Sequence, residues 1–175
     1  MHPDATGKLG EGNGPAAAAG SGLLSEEIAL FLQSGLGIVI GVVGSDGRAR
    51  TGRALAVRIV GPDVIRVIYP AEGNAAVIST ALAGGAIAVT LSAPLTNRTI
   101  QVKSSACMAE PVTAEDSAAT GLQSDAFGDV LAAIGYTPAF VSAFCAISTS
   151  ELCALSLSVE AAFEQTPGPG AGRSI

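Results

Sequence analysis

Two tight turns close together constrain this chain more than any other feature. Ser45-Asp46-Gly47-Arg48 and Gly61-Pro62-Asp63 separate three apolar, β-branched runs at 38–43, 49–60 and 64–69. Gly47 supplies the positive φ that a short hairpin needs. Three runs joined by two hairpins form an antiparallel meander rather than βαβ units.

The flanking signals extend this pattern. Ser25 is a good N-cap, Glu26-Glu27 complement a helix dipole, and Ile28, Phe31 and Leu32 share one face, so a helix starts here and stops at Gly35 and Gly37. Asn74 is expected to cap a short helix over 75–82 that ends at Gly84-Gly85, followed by an apolar strand at 86–91 and a further strand running to about Met108. Thr113 with Glu115-Asp116 opens a helical region in which Phe127, Val130, Leu131 and Ile134 recur at helical spacing before Gly135, and Thr137-Pro138 starts a shorter one over 139–145. A last strand is expected over 151–163. Six strands with a few inserted helices suggest a small antiparallel barrel, because closure removes exposed sheet edges. At 175 residues and 49% hydrophobic composition the chain has material for one domain with a sizeable core. Residues 1–22, rich in Gly, Ala and Pro, read as a flexible N-terminal arm, 23–163 as the folded domain, and 164–175 as a Pro/Gly-rich tail, either a rigid terminus or a strap on a partner subunit.

Composition excludes several function classes. A net charge of −6 offers no basic face to a phosphate backbone, so no nucleic-acid partner is expected. Cys107, Cys145 and Cys153 are odd in number and lack CxxC spacing, which reads as reduced core thiols of a cytoplasmic protein. His2 is the single histidine, leaving no His-based metal site or triad. The longest apolar run, 38–43, is too short to span a bilayer, and no signal-peptide pattern opens the chain, so no membrane partner is expected.

The chemistry concentrates in Pro94-Leu95-Thr96-Asn97-Arg98-Thr99-Ile100-Gln101-Val102-Lys103. On a strand, Thr99, Gln101 and Lys103 share one face at about 7 Å intervals, a polar ladder about 13 Å long, while Ile100 and Val102 point into the core. Thr96-Asn97-Arg98, in a Pro-started turn just before it, adds hydroxyl, amide, turn N–H groups and a guanidinium for one anion. Arg53, between Gly52 and Ala54 and on one face with Thr51, Leu55 and Val57, is a candidate phosphate or carboxylate ligand; Arg50 and Arg58 read as surface arginines. An amphipathic edge strand with a solvated face would carry the same ladder. Glu26-Glu27 and Glu115-Asp116 read as helix-start charges, and Gly35-Leu36-Gly37 precedes a strand, unlike a dinucleotide fingerprint.

Ser-Glu-Glu opening the first helix, the strand–Asp-Gly-Arg–strand hairpin, the Ala88-Val89-Thr90 strand and above all Pro94-x-Thr96-x-Arg98-Thr99-x-Gln101-x-Lys103 give the chain a resemblance, over about residues 23–166, to the pyridoxamine 5′-phosphate oxidase-like, FMN-binding split-barrel family. The resemblance implies a mainly β (α+β) fold, a six-stranded antiparallel Greek-key split β-barrel with a few peripheral helices. It also implies a homodimer holding FMN at the subunit interface and acting on a small-molecule substrate. On this chain, Arg53 and Lys103 would face the phosphate or the polar edge of the ring, Thr96, Arg98 and Thr99 the phosphate end, and Gln101 a ring or ribityl atom. Ser104 stands where many relatives place Gly, and the substrate-binding Arg and His of the true oxidases have no match, so vitamin B6 oxidation is not expected. Three functions follow: a flavin-dependent oxidoreductase of unknown substrate, a non-catalytic flavin- or haem-binding sensor, and a structural dimer with an empty cleft.

Overall fold

A computed structural model describes residues 22–146 and 151–175; the arm expected over 1–22 falls, but for Gly22, outside them. The described elements run α1 (Glu26–Leu32), β1 (Gly37–Val43), β2 (Ala49–Ala54), β3 (Ala56–Gly61), β4 (Val64–Pro70), α2 (Ala75–Leu82), β5 (Ile87–Ser92), β6 (Thr99–Ser104), β7 (Met108–Glu110), α3 (Ala114–Ala133), α4 (Pro138–Cys145), β8 (Leu152–Ser158) and β9 (Ala161–Glu164). The strands form two antiparallel sheets, ordered β2-β1-β5-β6-β9 and β3-β4-β8-β7. Both expected hairpins are present, with Gly47 at φ 73°. The Ser25 hydroxyl accepts from Ile28 N (3.3 Å) at the start of α1, as its sequence predicts.

The described residues hold nine strands where six are expected, and the difference has one cause: three segments cross from one sheet to the other. The expected strand over 49–60 divides at Leu55. Ala54, Leu55 and Ala56 are all buried, so alternation lapses there, and Leu55 N donates to Ile68 O (2.8 Å) as the chain leaves β1 for β4. Arg53 and Val57 therefore part company, Val57 entering the core. The segment over 151–163 divides at Val159-Glu160, whose N–H groups go to Asp63 O (2.6 Å) and Lys103 O (2.9 Å). β6 and β7 are separated by a bend in which the Ser104 hydroxyl donates to Ala106 O (2.8 Å).

The core lies between the sheets. β1, β5 and β6 each bury alternate residues, with Ile38, Ile40 and Val42, then Ile87, Val89 and Leu91, then Ile100 and Val102 facing Val57, Ile65, Val67, Leu155 and Leu157. The outer face of the four-stranded sheet is covered by α3, which begins with a capping box between Thr113 and Asp116. Gln123 on α3 satisfies the backbone of Val57, accepting from its N–H (3.0 Å) and donating to its carbonyl (2.8 Å).

Asp116, expected as a helix-start charge, is also the hub of a buried ion cluster. Arg58 and Arg66 sit directly opposite one another on β3 and β4, where two like charges would repel. Asp116 lies between them, 2.7 Å from Arg58 Nη1 and 2.6 Å from Arg66 Nη2, and Arg66 also donates to Pro111 O and pairs with Glu110. Arg58 is thus no free surface arginine. Burial pushes the Asp116 carboxyl up, but hydrogen bonds from Arg66, the Thr113 N–H and Arg58 outweigh it and hold the group well below the usual carboxylate range.

Asn74 precedes α2 but does not cap it. Its Nδ2 donates to Pro70 O (2.7 Å) and Arg53 O (3.1 Å), tying β2 to the end of β4. Its Oδ1, buried and without a partner, packs on Gly52, where an added Cβ would strike it and meet Val77 Cγ1 at 2.6 Å. Gly52 is needed for that close approach. The tail folds onto its own domain: Ile175 N donates to Ala162 O (3.0 Å), Gly172 N to Glu164 O (2.7 Å), and Ser174 bridges Phe163 along the free edge of β9.

Two stability measurements test this arrangement. Asp116→Ala strands two arginines and is expected to cost about 3–5 kcal/mol in urea unfolding at neutral pH. Because the folded carboxyl titrates below its unfolded value of about 3.9, the contribution is present above that pH and lost as the pH falls through the folded value; the wild type should lose stability on acidification more steeply than Asp116→Asn. Gly52→Ala should cost about 1–3 kcal/mol by overpacking, and an unchanged midpoint would mean that Asn74 is free to move away.

Candidate functional site

The outer face of the five-stranded sheet is built by the register of its strands. Val39 pairs with Arg53 on one side and Thr90 on the other, Thr90 with Gln101, and Gln101 with Phe163, so Arg53, Val39, Thr90, Gln101 and Phe163 form one row across all five strands. The next row is Thr51, Gly41, Ala88, Lys103 and Ala161, and Gly37, Ser92 and Thr99 flank the first row on its other side. Thr99, Gln101 and Lys103 all point away from the core, as period-two alternation requires.

Hydrogen bonds fix the polar part of this surface. The Thr99 hydroxyl donates to Ser92 Oγ (3.0 Å), with Asn97 O at 3.2 Å, and Gln101 Nε2 donates to Thr90 Oγ1 (2.9 Å). Lys103 Nζ lies 4.8 Å from the Phe163 ring centroid. Arg53, half-buried, donates from Nη1 to Phe144 O (2.7 Å) with its Cζ 4.0 Å from the Phe144 ring centroid. Burial holds its pKa below the usual arginine value.

Charge pairing and position together separate these two cations from the others: Arg48 and Arg173 also lack a carboxylate partner among the described residues, but they lie in the first hairpin turn and in the C-terminal tail. Arg50 pairs with Asp46, Arg58 and Arg66 with Asp116, and Arg98 with Glu27, whereas neither Arg53 nor Lys103 has a carboxylate partner among the described residues. They stand three strand spacings and two residues apart, about 16 Å between Cα atoms. Each rests on an aromatic ring, an arrangement that stabilises a cation while leaving it available to an anion.

Between them lie Val39, Gly41, Ala88 and Thr90. A shallow cavity of about 300 Å³ is lined by Gly41, Val43, Thr51, Ala86, Ala88 and Lys103, beside valines that remain 46% (Val39) and 58% (Val43) exposed. A larger groove of about 510 Å³ runs past Val60, Arg66, Met108 and Glu110, but its one cation is spent on Asp116 and Glu110. The sheet face is therefore the better candidate for an anionic ligand.

Thr96 and Arg98 do not join it. Thr96 Oγ1 accepts from Arg98 N (3.3 Å) within the β5–β6 hairpin, where Asn97 takes a φ of 59°. Arg98 falls on the face opposite Thr99, pairs with Glu27 of α1 at 2.7 Å and lies 4.6 Å over the Phe31 ring. The turn and the ladder thus do not combine into one anion cradle. Thr90, placed from sequence only within the Ala88-Val89-Thr90 strand, and Ser92 and Phe144 are not among the site residues that the sequence offers. Alternation with Val89 and Leu91 marks the first two, while no local signal links Phe144 to Arg53, 91 residues away.

No protein-family model and no curated protein matches the chain. Solved structures do. HupZ of Group A Streptococcus superposes with a TM-score of 0.51 at 11% identity, covering 85% of this chain and 98% of that one. A Clostridium acetobutylicum protein related to general stress protein 26, of the pyridoxinephosphate oxidase family, gives 0.47 at 8% identity over 81% and 85%. A haem-binding protein from Mycobacterium smegmatis gives 0.44 at 15% identity over 84% and 55%. Identities this low speak to fold and not to activity. Of these three superpositions, that on HupZ exceeds a TM-score of 0.5, and at 11% identity it shows a shared fold alone.

Proposed function

We propose that this protein binds FMN on the outer face of its five-stranded sheet and is a flavin-dependent oxidoreductase acting on a small molecule. The observation that carries the reading is the pair of cations without carboxylate partners, Arg53 and Lys103, on the same sheet face as the Gln101–Thr90 hydrogen bond in an acidic protein. The donor set fits the group. Lys103 supplies charge for a phosphate, Thr99 and Gln101 with Thr90 and Ser92 supply hydroxyls and amide atoms for a ribityl chain, and Gly41 and Ala88 leave room for a flat ring, with Arg53 at its polar edge. Bound FMN would supply the electron transfer, and the protein its orientation and surroundings.

The same face supports a homodimer. Val39 and Val43 leave apolar surface open on it, Val43 at the shallow cavity itself, and a second copy would cover both. On this reading the nine strands are the six of a split barrel, with β2/β3, β6/β7 and β8/β9 each one strand bent between sheets. A cytoplasmic setting suits the three free thiols.

An absorbance spectrum before and after FMN addition and desalting tests the proposal. Retention of about one flavin per chain, with bands near 375 and 450 nm, is expected, as the cofactor carries the redox chemistry. Lys103→Ala and Gln101→Ala should each weaken FMN about tenfold, about 1.4 kcal/mol, and Arg98→Ala, whose partner is Glu27, should weaken it less. Complete loss of added FMN on desalting would overturn the reading, and a Soret band would replace it with haem binding. Sedimentation at twice the 17.2 kDa chain mass is expected for the dimer.

A further inference from the structure

Aromatic residues are scarce here, yet four of the seven, Phe127, Tyr136, Phe140 and Phe144, lie on α3, α4 and the turn between them. Tyr136, Phe140 and Phe144 are spaced four residues apart and stack along one side of α4. Their centroids are 4.5 and 5.4 Å apart and their planes within 19° and 12°. They do not fill the core: Tyr136 is 46%, Phe140 42% and Phe144 39% exposed, and α4 buries none of its residues. Leaving about two-fifths of each ring exposed forfeits part of the burial that large aromatics normally contribute, and because the ring faces are taken by one another and by Arg53, it is the ring edges that an apolar plane could cover.

Arg53 supplies the chemistry of the missing occupant. Its guanidinium lies over the Phe144 ring at the end of the stack, spends Nη1 on Phe144 O, and meets no carboxylate among the described residues. A planar fork with unspent N–H groups, half-buried and stacked on a ring, matches a carboxylate or phosphate oxygen pair. An apolar protein partner would leave that charge unanswered, and a cation would be repelled by it.

We infer that the α4 ring stack and Arg53 form a subsite for a small planar aromatic anion, its ring lying across the edges of Phe140 and Phe144 and its charged group on the Arg53 fork. The subsite lies at the β2 edge of the sheet and goes beyond the FMN reading. It shares Arg53 with the proposed flavin face but requires no flavin to exist.

Equilibrium dialysis of the full-length protein against 2-naphthoate, with 2-naphthamide as the uncharged counterpart, tests it. Saturable binding of naphthoate tighter than about 1 mM is expected, with naphthamide at least about fivefold weaker. Arg53→Gln and Phe140→Leu should each weaken naphthoate at least about fivefold, while Arg48→Gln, an exposed hairpin charge, should leave it unchanged. Arg53→Lys keeps the charge without the planar fork and should fall between wild type and Arg53→Gln, so the test survives if the glutamine variant misfolds. Equal binding of acid and amide, no saturation, or an Arg53→Gln variant that folds and binds like wild type would each overturn the inference. FMN retention, measured separately, distinguishes the two readings: naphthoate binding without FMN retention sinks the cofactor proposal alone, and the reverse sinks this one.

Discussion

One-sided burial of the five-stranded sheet is the constraint from which the rest follows. β1, β5 and β6 send every second side chain into the space between the sheets, and the fully buried Ile40, Val89, Leu91, Ile100 and Val102 lock the register. A slip of one residue in β6 would drive Thr99, Gln101 and Lys103 into that core and expose Ile100 and Val102. Charged groups would then lose water without a partner, which no packing gain offsets. The polar row on the outer face is therefore placed by the apolar residues behind it.

The bend at Leu55 gives two nearby arginines opposite fates. Arg53, before it, stays on the open face of one sheet; Arg58, after it, lies under α3 in the other and meets Asp116. Arg58, Arg66, Asp116 and Glu110 form a structural set of two cations and two carboxylates, with hydrogen bonds to compensate for burial and no charge left over for a ligand. Arg53 and Lys103 are held by ring faces and, for Arg53, a carbonyl, contacts that place the charge without neutralising it. In a chain of net charge −6, cations left without a carboxylate on one face are the groups that remain available to an anion.

The parts of this structure that sequence disclosed are those whose cause is local. The Gly47 turn, the Ser25 cap, the Thr113 helix start and the alternation through Thr99–Lys103 each depend on a few adjacent residues. The parts it hid depend on distance along the chain. Glu27 reaches Arg98 across 71 residues and Phe144 reaches Arg53 across 91, so neither partner is marked by spacing. Asp116 looked like a helix-dipole charge because Glu115 beside it does behave as one, exposed at the first turn of α3. Asn74 carried a cap signature, yet two backbone carbonyls of neighbouring strands compete successfully for its amide. The strand breaks at Leu55 and Val159 carry no sequence mark because apolar residues continue through the first and apolar–polar alternation through the second, and only a change of pairing partner marks the corner.

Arg53 joins what would otherwise be two separate surfaces. Its backbone carbonyl is fixed by Asn74, against a Gly52 that admits no larger residue, so the strand beneath it has little freedom. Its side chain reaches α4, a helix without a buried residue, held to α3 by the Phe127–Phe144 ring contact and by the approach of Val141 to Gly128. α4 thus has few apolar anchors of its own and belongs to the low-stability end of the fold. A residue that is rigid at its backbone and tethers a weakly anchored helix through its guanidinium links the position of α4 to the electrostatics of the sheet face. The row from Arg53 to Phe163 and the ring stack of α4 are, for that reason, one continuous surface with a single shared charge.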